Sequence, residues 1–302
     1  MKLKNSYVRA LSVCLAFVFL LGITGCGSTS KASRGWILSD IVAEPNFDDL
    51  MNAIMDVRSS RMVKEGLAGD AVLLTAVTEL APKSRRLLTI CSMLYVAYGL
   101  LVEDEDPDYA KELYSIGESY GWRAIKRNGK IRKGLEKGEK LHALVKHAKD
   151  EDIDAVLFLG ANIGLKLFLS MDDLTAIMAM ADVIALFKKA LELDPEYFFG
   201  FGKLFMALYC CMMPTMIDPD GGPENALKWF EKVEAQNKGN FLVVDAFKAR
   251  FYATLIKDEE MFDRLIKRTL ETDSSVMKGG YLLNEVAKIK ARVFLKEKYK
   301  WF

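Results

Sequence analysis

"ALFKKALELDP", residues 185 to 195, decides how the chain is read. Its apolar residues return every third or fourth position and continue upstream. Val183, Ile184, Phe187, Ala190 and Leu191 fall on one side, and Lys188, Lys189 and Glu192 on the other. That is the period of a helix with one face to bury, closed by Pro195. The same spacing recurs from Phe47 to the C-terminus, and no strand-type alternation persists anywhere. Breakers near Pro82, Pro107, Gly129, Pro195, Gly221–Gly222 and Gly279–Gly280 divide the pattern into about ten to twelve helices, so the chain is all-α.

A chain of many similar helices invites a search for repeats. Three stretches share the pattern large-x-x-large-Gly-x-x-large: Tyr95, Tyr98, Gly99, Val102; Val156, Leu159, Gly160, Ile163; and Phe198, Phe201, Gly202, Phe205. Each precedes a helix with a complementary triplet: Ala110, Tyr114, Gly117; Val183, Phe187, Ala190; and Ala226, Phe230, Val233. A glycine lets the second helix press close while the large residues fill the space beside it, and such hairpins bury their faces by stacking. Residues 185–195 then resemble the closing half of a tetratricopeptide repeat. The glycines lie 61 and 42 residues apart, whereas that repeat has a period of about 34. The expected fold is thus an α-solenoid of irregular, long tetratricopeptide-repeat-like hairpins, with a plain helical bundle as the alternative.

The N-terminus carries an address. Lys2, Lys4 and Arg9 precede an apolar run from Ala10 to Ile23, with no acidic residue before Asp40. This is the layout of a secretory signal, and about 14 apolar residues fall short of the roughly 20 needed to span a bilayer. Ile23-Thr24-Gly25-Cys26 resembles the lipobox of bacterial lipoproteins, which implies lipidation of Cys26. The expected organisation is a removed signal over 1–25, a lipidated flexible tether over 26–39 and a single helical-repeat domain over 40–302. That places the body in the periplasm, held to a bacterial membrane. Losing three basic residues with the signal leaves 39 basic against 41 acidic residues, a net charge of −2, which offers nucleic acid no electrostatic footing. Cys91, Cys210 and Cys211 show neither disulfide nor zinc spacing and read as small buried hydrophobes.

A narrower resemblance rests on "GGPENALKWFEKVEAQNKGNFLVVDAFKARFYA", residues 221 to 253, and the terminal "LLNEVAKIKARVFL", residues 282 to 295. With the lipobox and the irregular hairpins, these resemble the TatT family, the T components associated with tripartite ATP-independent periplasmic (TRAP) transporters. The resemblance implies a non-enzymatic accessory, a homotrimer, that docks the transporter's periplasmic substrate-binding protein. It does not name the ligand.

On a solenoid of this type the concave wall would be lined by Met93, Val96, Leu100 and Glu103, by Asp154, Leu157, Ala161 and Gly164, and by Glu196, Phe199, Lys203 and Met206. Most are apolar. Such a wall suits a hydrophobic small ligand or a partner helix, or else a further helix of the chain fills it. Met212, Met213 and Met216 in the Pro-interrupted loop 209–222 could form an adaptable lip over a channel, or plug the inside of a trimer.

Catalytic readings find little. The only histidines, His142 and His147, stand roughly 140° apart on a helix and do not converge on a metal. No cofactor motif is present. The acidic run 103–108 lacks calcium-loop spacing and reads as a cap for the following helix. Residues 123–149 hold ten Lys or Arg against Glu136 and Glu139, a solvated face or a contact for an acidic partner or anionic lipid. A cell-envelope scaffold gripping a protein segment, and an enzyme with cryptic active residues, are the competing functions.

Overall fold

The computed structural model describes Met55, residues 57–170 and residues 174–302. The signal segment, Cys26 and the tether lie outside them. Twelve α-helices and no strands occur among the described residues, so the protein is all-α. They are α1 (Ser60–Leu80), α2 (Arg85–Val102), α3 (Pro107–Ile125), α4 (Gly129–Glu136), α5 (Leu141–Leu144), α6 (Ile153–Phe168), α7 (Leu174–Leu193), α8 (Tyr197–Met212), α9 (Pro223–Asn237), α10 (Leu242–Phe247), α11 (Glu259–Glu271) and α12 (Tyr281–Glu297). A π-helical turn, Lys248–Ala253, follows α10 directly.

The breakers act where expected. Pro107 starts α3 behind the cap Asp106, whose Oδ1 accepts from the Tyr109 amide at 3.0 Å. Gly129 opens α4 after Asn128, whose Oδ1 accepts from the amides of Lys130 and Ile131. Gly222 precedes α9, and Gly280 precedes α12. At the starts of α3 and α4 the side-chain oxygen satisfies amides that the first helical turn leaves without partners.

Successive helices pack in sequence: α1 on α2, α2 on α3, α3 on α6, α6 on α7, α7 on α8 and α8 on α9. α2 is long and apolar enough to cross a membrane, but here its buried residues pack against α1, α3 and α6. Two of the three predicted glycine contacts form. A Cβ on Gly99 would stand 2.7 Å from Tyr114 Cζ, and one on Gly160 3.2 Å from the Phe187 ring.

The third is exchanged. Gly202 faces Leu191 of α7, and it is Gly200 that meets Val233 of α9. The reason is local. Phe198, Phe199 and Gly200 take φ values of 46°, 59° and 76°, a left-handed turn that re-aims the start of α8. The C-terminal end of α9 secures this turn: Asn237 Nδ2 donates to Phe199 O at 2.9 Å, and Gln236 Nε2 to Glu196 O at 3.0 Å.

At the far end α12 returns to pack on α1. Lys290, 1% exposed, donates from Nζ to Glu103 Oε1 and Asp104 Oδ2, both at 2.7 Å. Tyr114 donates its hydroxyl to the other Glu103 oxygen at 2.6 Å. The acidic run therefore does two jobs: Asp106 caps α3, while Glu103 and Asp104 fasten the last helix to the first hairpins.

Candidate functional site

The expected apolar wall divides into a filled part and a partly open part. Val96, Leu157, Ala161 and Met206 are buried, as is Gly164. These positions are packed core, the alternative in which the chain's own helices fill the wall. α6 is apolar on every side because α2, α3 and α7 surround it, and a helix hydrophobic all round belongs inside. Met93, Leu100, Phe199 and Lys203 remain half-buried. Phe199 lies 6.0 Å from the Phe241 ring, and Lys203 Nζ donates to Gln236 Oε1 at 2.7 Å, so both lean on the α9 side of the molecule.

The methionine loop also divides. Met213 is buried, Met212 half-buried and Met216 97% exposed, beside exposed Ile217. The loop is tied down at its base. The Gly222 amide donates to the carbonyls of Cys210 (2.9 Å) and Met213 (2.8 Å), and Tyr209 donates its hydroxyl to Asp218 at 2.5 Å. An apolar tip thus stands on a fixed stem.

Met212 and its neighbour Cys211 turn into a cleft of about 420 Å³ whose other walls come from the π turn and the C-terminal end. Arg250, Phe251, Thr254, Leu255 and Lys257 line it together with Lys300 and Trp301. Single π turns inside helices occur often at functional sites. Arg250 Cζ sits 3.9 Å over the Trp301 ring, and burial draws its pKa below the ordinary guanidinium value against the pull of Glu297. Burial pushes the Cys211 thiol up to about 12 and the Cys210 thiol up to about 11. Both sulfurs are therefore protonated at neutral pH and supply apolar bulk. Cys91 and Cys210 are buried as expected, whereas Cys211 is half-buried at the cleft.

The family model described as TRAP transporter T-component matches residues 59–302. The chain belongs to the TRAP transporter T-component family. The match takes in every helix from α1 to α12. Membership associates the protein with a TRAP transport system and hence with a bacterial membrane. A search of curated proteins finds no match. In this T component the stretch 221–253 becomes the stem of the methionine loop, α9, α10 and the π turn, and residues 282–295 become most of α12.

Other sequence-level candidates are dispersed. His142 Nδ1 lies 2.8 Å from Asp182 Oδ1 on α7, away from His147, and no cluster of metal-binding side chains occurs among the described residues. In the basic tract Arg123 binds Glu79, while the other nine Lys and Arg side chains are exposed. Sequence reasoning missed Arg250 and Trp301. Their meeting depends on the packing of the C-terminal end against the π turn, for which the signal in the sequence is only that both residues fall near the family-like blocks.

Proposed function

We propose that this T component is a lipid-anchored periplasmic accessory that does no chemistry of its own, docks the substrate-binding protein of a TRAP system and offers apolar surface to a hydrophobic ligand. The family match over residues 59–302 carries this reading. The exposed tip Met216–Ile217 is the kind of apolar anchor that docking uses. The half-buried Met93, Leu100 and Phe199 are the part of the apolar tract still open to a ligand. Exposed Met62, Val72, Leu73 and Leu80 on α1 give a homotrimer apolar surface to bury.

The test is co-purification. The body, released from the membrane by Cys26→Ser, is mixed with the substrate-binding protein of its TRAP system, and complex formation is followed by size-exclusion chromatography with light scattering. A complex weakened by Met216→Asp supports docking at the loop. Its absence, with capture of an unrelated envelope protein instead, favours the scaffold. The same variant reports on anchoring, because without the sulfur no diacylglycerol attaches and two acyl chains are what hold a protein at a membrane. Membrane retention of Cys26→Ser, with continued uptake of labelled fatty acid, overturns the lipobox.

A further inference from the structure

Much of the basic tract belongs to an insertion between hairpins. α4 and α5 stand between α3 and α6, within the wide 61-residue separation of Gly99 and Gly160. α4 packs by its inner side: Ile131 is fully buried, and Gly134 lies against Leu144 of α5. α5 is in turn fixed to α7 by His142, whose amide and Nδ1 meet Asp182 Oδ1 at 2.9 and 2.8 Å. With 3.6 residues per turn, Lys130, Lys133 and the C-cap Lys137 fall within an arc of about 60° on the outer side, and all three are exposed. Side chains so spaced on a helix have Cβ atoms about 5–6 Å apart. None of the three has an ion pair among the described residues, and Glu136 turns to Arg132 at 3.9 Å instead. Like charges at this spacing weaken a helix, and Lys130 in the first turn opposes the helix dipole. The stack therefore does nothing for the stability of α4 and is suited to an anion from outside.

The kind of anion follows from what surrounds the stack. Seven of the nine exposed cations in residues 123–149 are Lys, and no large apolar side chain of that stretch is exposed. Protein interfaces are built round buried aromatic or aliphatic anchors and are poor in Lys. A layer of lipid phosphates needs neither anchor nor fork, only hydrated point charges brought to its negative surface. Exposed Lys140 extends the stack, since three residues of chain keep its Cα within about 11 Å of that of Lys137. We propose that the outer side of α4, with Lys130, Lys133 and Lys137, is a docking face for anionic phospholipid headgroups. The contact is separate from the anchor, because α4 carries its charge whether or not Cys26 is lipidated.

The experiment is co-sedimentation of the full chain carrying Cys26→Ser with vesicles of phosphatidylcholine, alone or mixed with phosphatidylglycerol. It is compared with the triple variant Lys130→Gln, Lys133→Gln, Lys137→Gln on the same background. A second triple, Lys228→Gln, Lys267→Gln, Lys296→Gln, removes the same charge from exposed positions on α9, α11 and α12. Residues 1–25 are common to all three proteins, so only the differences between them count. Binding of the parent should be stronger to the mixed vesicles than to phosphatidylcholine. It should fall at least about tenfold in the α4 triple and less than about threefold in the second. Raising the salt from about 0.05 M to about 0.3 M should erase the difference. Equal loss in the two triples assigns the effect to net charge and overturns the face, as does an α4 triple that binds like its parent. Unchanged vesicle binding with lost capture of the substrate-binding protein gives the face to an acidic protein instead. Exposed substitutions of this kind leave melting nearly unchanged. Should the α4 triple not fold, Lys137→Glu should lose more binding than Lys137→Gln, and equal values overturn the proposal.

Discussion

The α2–α3 and α8–α9 hairpins share one residue spacing and close in different ways. In the first, Gly99 looks into Tyr114, whose ring is fully buried and whose hydroxyl is held by Glu103 at 2.6 Å. Nothing there can withdraw. In the second, the left-handed turn at Phe198–Gly200 gives the contact with α9 to Gly200 and turns Gly202 toward Leu191, a flexible side chain at 3.2 Å. A glycine in a helix thus marks a close approach, but the backbone just before it chooses the neighbour. The first hairpin is fixed by a rigid ring, and the second by bonds from Gln236 and Asn237 to the backbone of the turn.

The largest difference between regions should appear when a carboxylate is placed on the two parts of the expected wall. Leu157, 1% exposed in α6, belongs to the apolar core cluster. Leu157→Asp should cost about 4 kcal/mol or more and leave little folded protein. Phe199 is half-buried at a turn where Asp tolerates left-handed backbone, so Phe199→Asp should melt far closer to the unaltered chain. Circular dichroism melts of the pair decide it. Equal melting temperatures would mean that α6 is not the packed helix described.

Closure of the last helix on the first hairpins comes next in size. Lys290→Met removes the cation that binds both Glu103 and Asp104, which are mostly shielded from water, and breaking such a triad costs about 3–5 kcal/mol. Because the lost contact joins α12 to the end of α2, proteolysis should begin in the C-terminal helices. A variant with native urea stability would show that apolar packing alone holds α12.

Smaller effects test the glycines directly. Gly99→Ala forces a Cβ against a ring that cannot move and should cost about 3 kcal/mol. Gly202→Ala meets only Leu191, and the helix preference of Ala, worth up to about 1 kcal/mol, should nearly offset the crowding. A reversed order in thermal melting would restore Gly202 as the packing residue of the α8–α9 hairpin.

The helices and the two N-terminal hairpins were legible because their determinants are local: a 3.6-residue period, a proline or glycine at each end, and a glycine opposite a large residue. The exchange at Gly202 was not, because nothing in "YFFGFG" announces that two phenylalanines adopt positive φ. Lys290 and Glu103 lie 187 residues apart, and no periodicity reports such a pairing. The cleft was half legible. Met212 was singled out as a lip residue, but Arg250 looked like any surface cation until the aromatic ring of Trp301 was seen above it.

The regions differ finally in how they hold acids, and here the expected effect is smallest. Glu103 and Asp104 share a buried ammonium, whereas Asp245 in α10 is 2% exposed and pairs with Arg268, whose Nη1 is 3.0 Å from each carboxylate oxygen. Burial, opposed by Arg268 and Lys248 and aided by nearby Glu234, raises the Asp245 pKa to about 6. The unfolded chain titrates this group near about 3.9. Between those values the folded state holds the extra proton, so stability is greatest on the acid side and falls as pH rises toward 6, staying at the lower level above it. Asp245→Asn removes the proton while keeping an acceptor for Arg268. After allowance for the guanidinium, the unaltered chain should lose on the order of 1–2 kcal/mol relative to the variant between pH 4 and pH 7. Urea melts at both pH values measure the difference, and parallel behaviour of the two proteins would mean that Arg268 compensates the buried charge in full.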